Sequence, residues 1–421
     1  MSSDEFQPIQ GMVDLAYPEI ALWQQLEQQS RSILHLYGFT EVRTPVVERR
    51  SVFDRSLGDS TDVVQKEMYQ FEDAGGRLLV LRPEGTAGIT RYIARIGQDG
   101  ASARVYYIGP MFRRERPQAG RYRQFHQLGV EAIGEPNPHV DAEIMAMQIH
   151  LLKAWGLSQF QVKLNTRGES EDQALVKAFL EKELQPHLDR LCDNCRRRYN
   201  ENILRILDCK NPACRDVVSS LPPATEAMSE KSKNYLAEVL RILERLEIPA
   251  VIDPTLVRGF DYYRHTVWEI THSGLGAQDA IAGGGRYSIT MGSRVIPGVG
   301  FAMGIERVIM ALKSESAALP GEIKDQVWLV SMDESLLDVH LQLAQTLRMR
   351  GISCFLDMSG RSVKAQMRSA GKSGARWVVL HGRHEEEKGT FQLKNMESGV
   401  QEEVEMPVLL ERIKASPVHA L

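Results

Sequence analysis

Five arginines crowd one short stretch of the sequence, between two segments that have the apolar character of β-strands. They are Arg113, Arg114, Arg116, Arg121 and Arg123, and the single acidic residue among them is Glu115. Pro117 and Gly120 interrupt the stretch, which therefore predicts the loop of a hairpin. Because a guanidinium binds phosphate oxygens through two parallel hydrogen bonds, the loop indicates a phosphate site. A solvated charged loop is the plain alternative.

The strand that follows this loop carries polar side chains in an apolar setting. Side chains alternate in a strand, so Gln127, Gly129 and Glu131 of the predicted strand Gln124–Ile133 share one face. The preceding strand is predicted at Val105–Gly109 and is closed by Pro110. Together the two strands predict a pocket with a phosphate end and a polar, carboxylate-bearing end.

A second group of candidate residues lies where a short strand, Leu78–Leu81, runs into a predicted helix. Glu84 and Thr86 occupy that junction, with the helix expected over residues 86–95. A carboxylate there could cap the helix, which is worth about 0.5–2 kcal/mol. The functional alternative is a carboxylate and a hydroxyl aimed at an ammonium group.

Three later stretches add further candidates. Arg258, Asp261, Tyr262 and Tyr263 come just before a predicted strand over residues 266–270. Residues 281–287 place three glycines beside an arginine and Tyr287, and such a triplet allows either a close backbone approach or a turn. Arg307 is expected in the first turn of a helix, where a cation meets the positive dipole end unless an anionic ligand lies close by.

Bulk composition excludes several classes of protein. The chain has 421 residues, 43% of them hydrophobic, and a net charge of −4, so any nucleic-acid binding must use local basic patches. No signal-peptide core follows the acidic, polar start, and no apolar run is long enough for a membrane helix. These features predict a soluble, multidomain protein of the cytoplasm, with no membrane partner.

The cysteines offer a possible metal site. Cys192, Cys195, Cys209 and Cys214 cluster within a charged, helical region over about residues 168–250, which we interpret as an insertion. Their spacing is similar to that of a four-thiolate zinc site, although the second gap is at the loose end of the usual range. Ordinary thiols in a reducing compartment are the alternative.

The last part of the chain alternates strands and helices, which predicts an α/β domain over residues 326–421 after a linker at Lys313–Lys324. A helix over residues 360–373 would carry a basic stripe of Arg361, Lys364, Arg368 and Lys372 without interleaved acids. A solvated face is one interpretation. The absence of acids favours RNA binding, because phosphates require only such a stripe.

These stretches, taken together and in order, resemble the histidyl-tRNA synthetase family of class II aminoacyl-tRNA synthetases. FRRE…RYRQFHQLGVE resembles the second motif of the class, and GVGFAMGIERVIMAL resembles the third. The early helix at Tyr17–Tyr37 and the strand at Phe39–Pro45 resemble the first motif, the dimer interface. RPEGTAG, LVRGFDYY and AGGGRY resemble stretches of the histidine-specific family. The joint occurrence is far more specific than any one motif.

The resemblance implies an α+β fold, with an antiparallel sheet flanked by helices and a helical insertion within residues 1–325. It also implies an α/β anticodon-binding domain over 326–421. The implied activity is that of a histidine–tRNA ligase, which joins L-histidine to ATP, as its Mg²⁺ complex, and then to the 3′-terminal adenosine of tRNA(His). The resemblance to the first motif also implies a homodimer, whereas the possible structural zinc ion is expected from the cysteine spacing alone.

The family's functional residues carry over to matching positions of this sequence. Arg258 and Arg113 would be catalytic. The histidine-binding residues would be Glu84, Gly85, Thr86, Gln127, Glu131, Arg258, Tyr262, Tyr263 and Tyr287. The ATP-binding residues would be Arg113, Glu115, Arg121, Tyr122 and Arg307. The tRNA-binding residues are expected from the basic stripe alone and not from a family motif, and they would be Arg361, Lys364, Arg368 and Lys372.

Two alternatives accompany this interpretation, and one departure qualifies it. A catalytically inactive paralogue that regulates ATP phosphoribosyltransferase would keep the fold but tends to lose the arginines and the last domain. A synthetase-like domain of a stress kinase is disfavoured, because no kinase sequence is present. Ser288, Ile289 and Thr290 stand where the family usually has Asp-Gly-Leu, which leaves the local turn beside Tyr287 open.

Overall fold

The computed structural model describes residues 6–58, 61, 63–96, 102–134, 136–315 and 327–413. The chain divides into two compact units, Met1–Leu319 and Pro320–Leu421. Most of the linker predicted at Lys313–Lys324 lies outside the described residues. Within those residues, no helix combines the length and apolar character needed to cross a membrane.

The first unit is built on a large sheet. Its strands, in chain order, are β1 (Thr40–Glu41), β2 (Val47–Arg49), β3 (Gln70–Glu72), β4 (Leu78–Leu81), β5 (Ala103–Phe112), β6 (Gln124–Ile133), β7 (Phe160–Thr166), β8 (Ala250–Ile252), β9 (Tyr263–His272), β10 (Ala280–Met291) and β11 (Arg294–Gly304). Eight of them pair in the order β1-β5-β6-β11-β10-β9-β7-β8, and β2, β4 and β3 form a separate small sheet. The large sheet is antiparallel except at its two ends, where β1 and β8 pair in parallel. The predicted antiparallel sheet is therefore confirmed.

Helices cover both faces of this sheet. Those of the first unit are α1 (Glu19–Leu36), α2 (Arg50–Leu57), α3 (Thr86–Ile96), α4 (Pro138–Ala154), α5 (Ser170–Leu184), α6 (Asp193–Glu201), α7 (Pro212–Ser220), α8 (Glu230–Arg245) and α9 (Ile305–Ser314). Because side chains alternate along β5, Tyr106 joins the core formed with α1, α4 and α9. Val105 and Tyr107 point the other way and join a second core with α2 and α3. The flanking helices are confirmed.

Two predicted strand boundaries were wrong. In the segment Phe39–Pro45 only Thr40 and Glu41 form a ladder, against β5. The chain then leaves the sheet, and the Thr44 carbonyl accepts a hydrogen bond from the Arg82 guanidinium at 3.0 Å. Pro110 lies inside β5 instead of ending it, opposite His126. The other side of β5 is paired only near Val105, and an unpaired strand edge tolerates a residue without an N–H.

The three consecutive glycines lie in the middle of strand β10 and make no turn. A Cβ on Gly283, Gly284 or Gly285 would overlap the side chains of Arg258, Trp268 and Tyr263, respectively. The close-approach alternative therefore holds, with protein side chains lying flat on the strand. Strand β10 continues through Ser288–Thr290, which pair with β11, so the strand turns only at Gly292.

The helical region between β7 and β8 contains two kinds of helix. Helices α5, α6 and α7 surround a small core of their own, which includes Leu180, Ile206 and Val217. Helix α8 packs on α4, and its Leu236 and Val239 belong to the main core of the first unit.

The second unit is a five-stranded sheet with helices on both faces. Its strands are β12 (Val327–Ser331), β13 (Cys354–Leu356), β14 (Trp377–His381), β15 (Thr390–Asn395) and β16 (Gln401–Glu405), in the order β13-β12-β14-β15-β16. Its helices are α10 (Leu337–Arg348), α11 (Val363–Lys372), α12 (Arg383–Lys388) and α13 (Met406–Arg412). Strands β13, β12 and β14 are parallel, whereas β15 and β16 are antiparallel. Leu329 of β12 packs with α10, and Trp328 packs with α11 on the opposite face.

The predicted basic stripe is shorter than expected. Helix α11 begins at Val363, so Arg361 lies before it and not on its surface. The Arg361 guanidinium donates to the Asp357 carboxylate at 2.7 Å, which ties the arginine to its own loop. Lys364, Arg368 and Lys372 do lie exposed along α11, as expected.

Candidate active site

One cavity of about 1500 Å³ in the first unit brings together almost all the predicted small-molecule residues. Its lining includes Glu84, Thr86, Arg113, Glu115, Arg121, Tyr122, Gln127, Glu131, Arg258, Tyr262, Tyr263, Tyr287 and Arg307. These side chains come from five separate segments, which the sheet and the start of α3 place side by side. Gly85 contributes differently, because a Cβ there would overlap the ring of Tyr107.

Carboxylates form one end of the cavity. Glu84 accepts the backbone N–H groups of Thr86 and Ala87 at 2.7 and 2.8 Å, so it does cap α3. The Thr86 hydroxyl donates to Glu131 at 2.6 Å. Burial raises the pKa of Glu131 to about 8, with the Thr86 hydroxyl opposing the shift. Burial also raises the pKa of Glu84, against its backbone donors. Glu84 therefore caps α3 and lines the cavity at the same time.

Tyrosines enclose this carboxylate end. The rings of Tyr262 and Tyr263 lie 4.7 Å apart, and those of Tyr262 and Tyr287 lie 5.7 Å apart. Sequence reasoning missed Tyr107, which lines the same cavity from strand β5. A Cβ on Gly85 or on Gly129 would overlap its ring, so the two glycines make room for it. The available signal was this pair of glycines next to the polar residues.

Several buried polar atoms around this end have no hydrogen-bond partner among the described residues. They are Tyr107 Oη, Gln127 Oε1, Glu131 Oε2, Arg258 Nε and Tyr287 Oη. Buried polar groups in native proteins are almost always satisfied by protein, water or ligand. A set of donors and acceptors converging on one cavity therefore indicates a small, polar ligand.

Arginines form the other end. Arg113 Nε donates to the Pro83 carbonyl at 3.0 Å, and its guanidinium lies 5.4 Å from the centre of the Phe125 ring. Arg307 donates to the carbonyls of Gly120 and Ala280 at 2.9 and 2.6 Å. A guanidinium has five N–H donors, so each of these arginines keeps donors for an anion. Burial lowers the pKa of Arg307, with Arg121 adding to the shift.

Two further carboxylates, which the sequence analysis did not single out, line the cavity. Glu269 accepts from Arg258 Nη1 at 3.0 Å, and thus orients a guanidinium that lies flat on Gly283. Glu306 accepts the backbone N–H of His126 at 2.8 Å and joins α9 to β6. Glu115 accepts from Arg121 at 2.9 Å within the arginine loop. Mg²⁺ usually uses one or two carboxylates together with phosphate oxygens, and this lining fits that requirement.

A segment near the amino terminus holds the arginine loop. The backbone N–H groups of Arg123 and Gln124 donate to the Gly11 carbonyl at 2.7 and 3.3 Å. Arg123 Nη1 also donates to the Gln10 carbonyl at 3.2 Å. A Cβ on Gly11 would lie 2.8 Å from Pro117, so the contact is close.

The four predicted cysteines come together. Their sulfur atoms all lie within 4.8 Å of one another, and the Cys192 and Cys209 sulfurs are 4.0 Å apart. Four thiolates at about 2.3 Å from a tetrahedral zinc ion have sulfurs about 3.8 Å apart. A backbone N–H from Cys195 lowers the pKa of the Cys192 thiol to about 7. The donor set and spacing thus fit a zinc ion with little movement.

The comparisons with known proteins agree with this geometry. The sequence model described as "Histidyl-tRNA synthetase" matches residues 11–308, and that described as "Anticodon binding domain" matches residues 326–416. The chain belongs to the histidyl-tRNA synthetase family. The cavity arginines, Arg113 and Arg307, both lie within the matched residues 11–308 of that family.

Individual relatives match over nearly the full chain. A histidine–tRNA ligase of Halothermothrix orenii is 43% identical over 96% of this chain and 98% of its own length. One of Pelotomaculum thermopropionicum is 42% identical over 96% of both chains. The crystal structure of apo S. aureus histidyl-tRNA synthetase superposes with a TM-score of 0.80 at 32% identity, over 97% of this chain and 99% of that one. The α+β fold class inferred from the motifs is therefore confirmed.

Proposed function

We propose that this protein is a histidine–tRNA ligase. It joins histidine and ATP to form histidyl-adenylate, and then transfers the histidyl group to the 3′-terminal adenosine of tRNA(His). The observation that carries this proposal is one cavity that has Arg113 and Arg307 at one end. At its other end lie buried polar atoms without a hydrogen-bond partner in the part of the chain that the structure describes. Such a cavity suits a zwitterionic amino acid beside a triphosphate.

Histidine occupies the carboxylate end in this proposal. Its ammonium group donates to Glu84, Thr86 and Gln127. Its neutral imidazole has one donor and one acceptor nitrogen. Glu131 accepts from the ring N–H, the Tyr263 hydroxyl serves the other nitrogen, and Tyr262 and Tyr287 close the pocket above Gly85. A site that hydrogen-bonds both nitrogens rejects apolar isosteres by ~10⁴-fold, because its own polar groups would stay unpaired.

ATP occupies the arginine end as its Mg²⁺ complex. Arg113 binds the α-phosphate, Arg307 the γ-phosphate, and Arg121, Tyr122 and Glu115 lie near the nucleotide. Phosphate oxygens and a carboxylate of this lining would hold Mg²⁺, which would supply positive charge for the leaving pyrophosphate.

Arg258 acts between the two substrates. A carboxylate oxygen of histidine attacks the α-phosphorus, the bond to the bridging oxygen breaks, and pyrophosphate leaves with its electron pair. Two anions must approach each other in this step, and Arg258, oriented by Glu269, neutralises that charge together with Arg113. Preorganised charge of this kind is usually the largest contribution to catalysis. Transfer to tRNA then forms a ribose ester and releases AMP.

The second unit binds tRNA in this proposal. Lys364, Arg368 and Lys372 give α11 an exposed cationic face, which suits phosphates. Arg361, being paired with Asp357, supports the loop before the helix and contacts RNA only with the part of its guanidinium that remains open.

We also propose a homodimer in the cytoplasm. Its basis is the likeness of the α1 and β1 region to the first motif of the class. Strand β1 is the edge of the large sheet, and Leu36 at the end of α1 is 77% exposed. Light scattering of the purified chain tests the dimer.

A structural zinc ion on the four cysteines completes the proposal. A closed site of four thiolates leaves no coordination position for substrate, so the metal takes no part in the reaction.

Histidine-dependent exchange of pyrophosphate into ATP tests the central proposal, with the other amino acids as controls. We expect exchange with histidine alone, and tRNA charging when tRNA(His) is added. Histidine binding without exchange would contradict the proposal and would favour the regulatory paralogue. The joint presence of Arg113, Arg258 and Arg307 in one cavity argues against that alternative.

A further inference from the structure

The four-cysteine cluster lies directly behind one side of the active-site cavity. Cys209 itself lines the cavity, and the neighbouring segments contribute a set of cations to it. We define this set as the basic wall, and it consists of Arg197, Arg198, Arg205, Lys210 and Arg215. Between residues 197 and 219, all of which the structure describes, the carboxylates of the lining are Glu201 and Asp208, which pair with Arg197 at 3.3 Å and with Arg205 at 2.8 Å.

Three separate segments supply both the cysteines and the wall. Cys192 and Cys195 lie at the start of α6, which carries Arg197 and Arg198. Cys209 lies in the connecting segment, and Cys214 lies in α7 next to Arg215. One ion bound by all four sulfurs would therefore fix the three wall segments relative to one another.

Apolar packing alone gives helix α6 little support. Its sequence, DNCRRRYNE, has a single fully buried residue, and that residue is Cys195. A helix of nine residues is marginal in water without tertiary contacts. Small cores in native proteins are often completed by a structural metal, whose binding energy adds to folding. Outside Cys195, α6 is held by the Tyr199 hydroxyl, which donates to the Glu181 carbonyl at 2.8 Å, and by Arg198, which donates to the Arg205 carbonyl at 3.0 Å. Coordination of Cys195 would therefore add an anchor at the start of the helix.

We propose that a zinc ion on these four cysteines holds the basic wall in place, and that the wall binds phosphates of the tRNA acceptor strand as its 3′ end enters the cavity. Binding displaces the thiol protons to solvent and gives four thiolate ligands. This inference rests on the proposed function, since it assigns a role to the wall in the second step only. ATP already has Arg113 and Arg307, so the first step does not require the wall.

The exposed arginines of α6 provide a matched pair of variants. Arg197 lines the cavity, whereas its neighbour Arg196 does not. Both are exposed, and each pairs with a carboxylate on its own helix, at 3.3 Å to Glu201 and 3.1 Å to Asp193. Arg197→Glu combined with Arg215→Glu should raise the KM for tRNA by ~10-fold or more. The salt dependence of binding should also flatten by about 1.4 in the log–log slope, as the loss of two single-strand phosphate contacts predicts. Arg196→Glu should leave both quantities unchanged.

The metal is tested separately. Elemental analysis of protein purified without chelator should give about one zinc per chain, and Cys192→Ser with Cys195→Ser should abolish it. Neither of these cysteines lines the cavity. We expect faster limited proteolysis between residues 190 and 220 in that variant, a KM for tRNA raised by ~10-fold or more, and histidine-dependent exchange within about twofold of the parent.

Three outcomes would overturn the proposal. The role of the metal would be excluded if the parent protein contained no zinc and the double cysteine variant showed unaltered proteolysis. Normal charging by the zinc-loaded Arg197→Glu, Arg215→Glu protein would exclude the basic wall as an RNA-binding site. This test remains valid even if the cysteine variant fails to fold. Equal losses of exchange and charging would assign the wall to the small-molecule site. Absence of exchange in the unmodified protein would instead contradict the proposed function itself.

Discussion

At the scale of single residues, Glu131 is a carboxylate whose burial lowers the folding stability of the protein but leaves an acceptor available for a ligand. It is 1% exposed, one of its oxygens has no partner among the described residues, and burial raises its pKa to about 8. An ionised carboxylate in such a position costs folding free energy that a bound ligand can return. The empty site is therefore expected to be less stable than a site in which this residue is neutral.

Replacing Glu131 by glutamine should reveal that cost as a pH-dependent difference. The folded-state pKa lies above the unfolded value, so the stability present near pH 4.5 is lost as pH rises towards 8. Glu131→Gln removes this loss. The melting temperature of the ligand-free variant, relative to that of the parent, should therefore increase as the pH rises from 5.5 to 8.5.

Calorimetry of both proteins at the two pH values measures this gain. Glu244→Gln, at an exposed position on α8, serves as the control and should show no such trend. The same Glu131 variant should lose histidine-dependent exchange by about 10²-fold, as removal of one preorganised group typically does. A difference in melting temperature that does not change with pH would contradict the assignment.

Arg258→His should lower the rate of adenylate formation by about 10²-fold or more, because it removes a charge placed between two approaching anions. Histidine-dependent exchange measures the effect, and thermal unfolding checks that the fold is kept. Arg55→His, on the exposed side of α2, is a control for the substitution itself. Near-normal exchange in folded Arg258→His protein would exclude Arg258 from the mechanism.

At the scale of elements, the sequence predicted best where the pattern is local. Strands β4 and β6 have the predicted bounds, because each is a short apolar or alternating run between clear turn signals. The strand predicted at Phe39–Pro45 was too long, because the Thr44 carbonyl accepts a hydrogen bond from Arg82, which is distant in sequence, instead of from a neighbouring strand. Long-range competition of this kind leaves no mark on the segment itself.

The candidate site was predictable to the extent that its residues carry charge or glycine. Glu84, Glu131 and several of the arginines stand out for that reason and line the cavity, namely Arg113, Arg121, Arg258 and Arg307. Arg114, Arg116 and Arg123 of the same loop are not part of its lining. Tyr107 was missed, because an aromatic residue in an apolar strand looks like core until Gly85 and Gly129 are placed beside it. Arg361 was assigned to a helix because the acid that holds it, Asp357, lies outside the stretch that showed the stripe.

The shortened stripe on α11 changes which variant tests RNA binding. Lys364→Glu with Arg368→Glu should weaken tRNA charging and lower the log–log salt slope by about 1.4–1.8, for two phosphate contacts. Pyrophosphate exchange, which uses no tRNA, should be unchanged. Arg350→Glu, which follows α10 on the opposite face of the sheet, is the control. A parallel fall in exchange and charging would show that α11 supports the fold instead.

At the scale of the whole molecule, the two units should respond differently to acid. His340, in the second unit, is fully buried, and its Nε2 lies 3.0 Å from His381 Nδ1. Burial lowers the pKa of His340 to about 4, and the neighbouring His381 adds to the shift. Unfolded His340 takes up its proton near pH 6.5, so the second unit should lose stability as pH falls from 6.5 towards 4.

Calorimetry of the full chain at pH 7, 5.5 and 4.5 checks this expectation. As the pH falls, one transition of the parent should move to lower temperature, and the same transition should move less in His340→Gln, because the amide does not titrate. That transition would belong to the second unit. Histidine, for which we propose a site in the first unit, should shift only the other transition. Identical acid sensitivity of both proteins would contradict the role of His340.

The contact between Gly11 and the arginine loop has a practical consequence for anyone who produces or labels this protein. The backbone N–H groups of Arg123 and Gln124 donate to the Gly11 carbonyl, so the segment at Gln10 and Gly11 supports the end of the cavity at which we propose that ATP binds. Cleavage after Met12 during purification would remove that support and weaken nucleotide affinity while leaving the core intact. Affinity tags and fluorophores therefore belong at the carboxyl end of the chain.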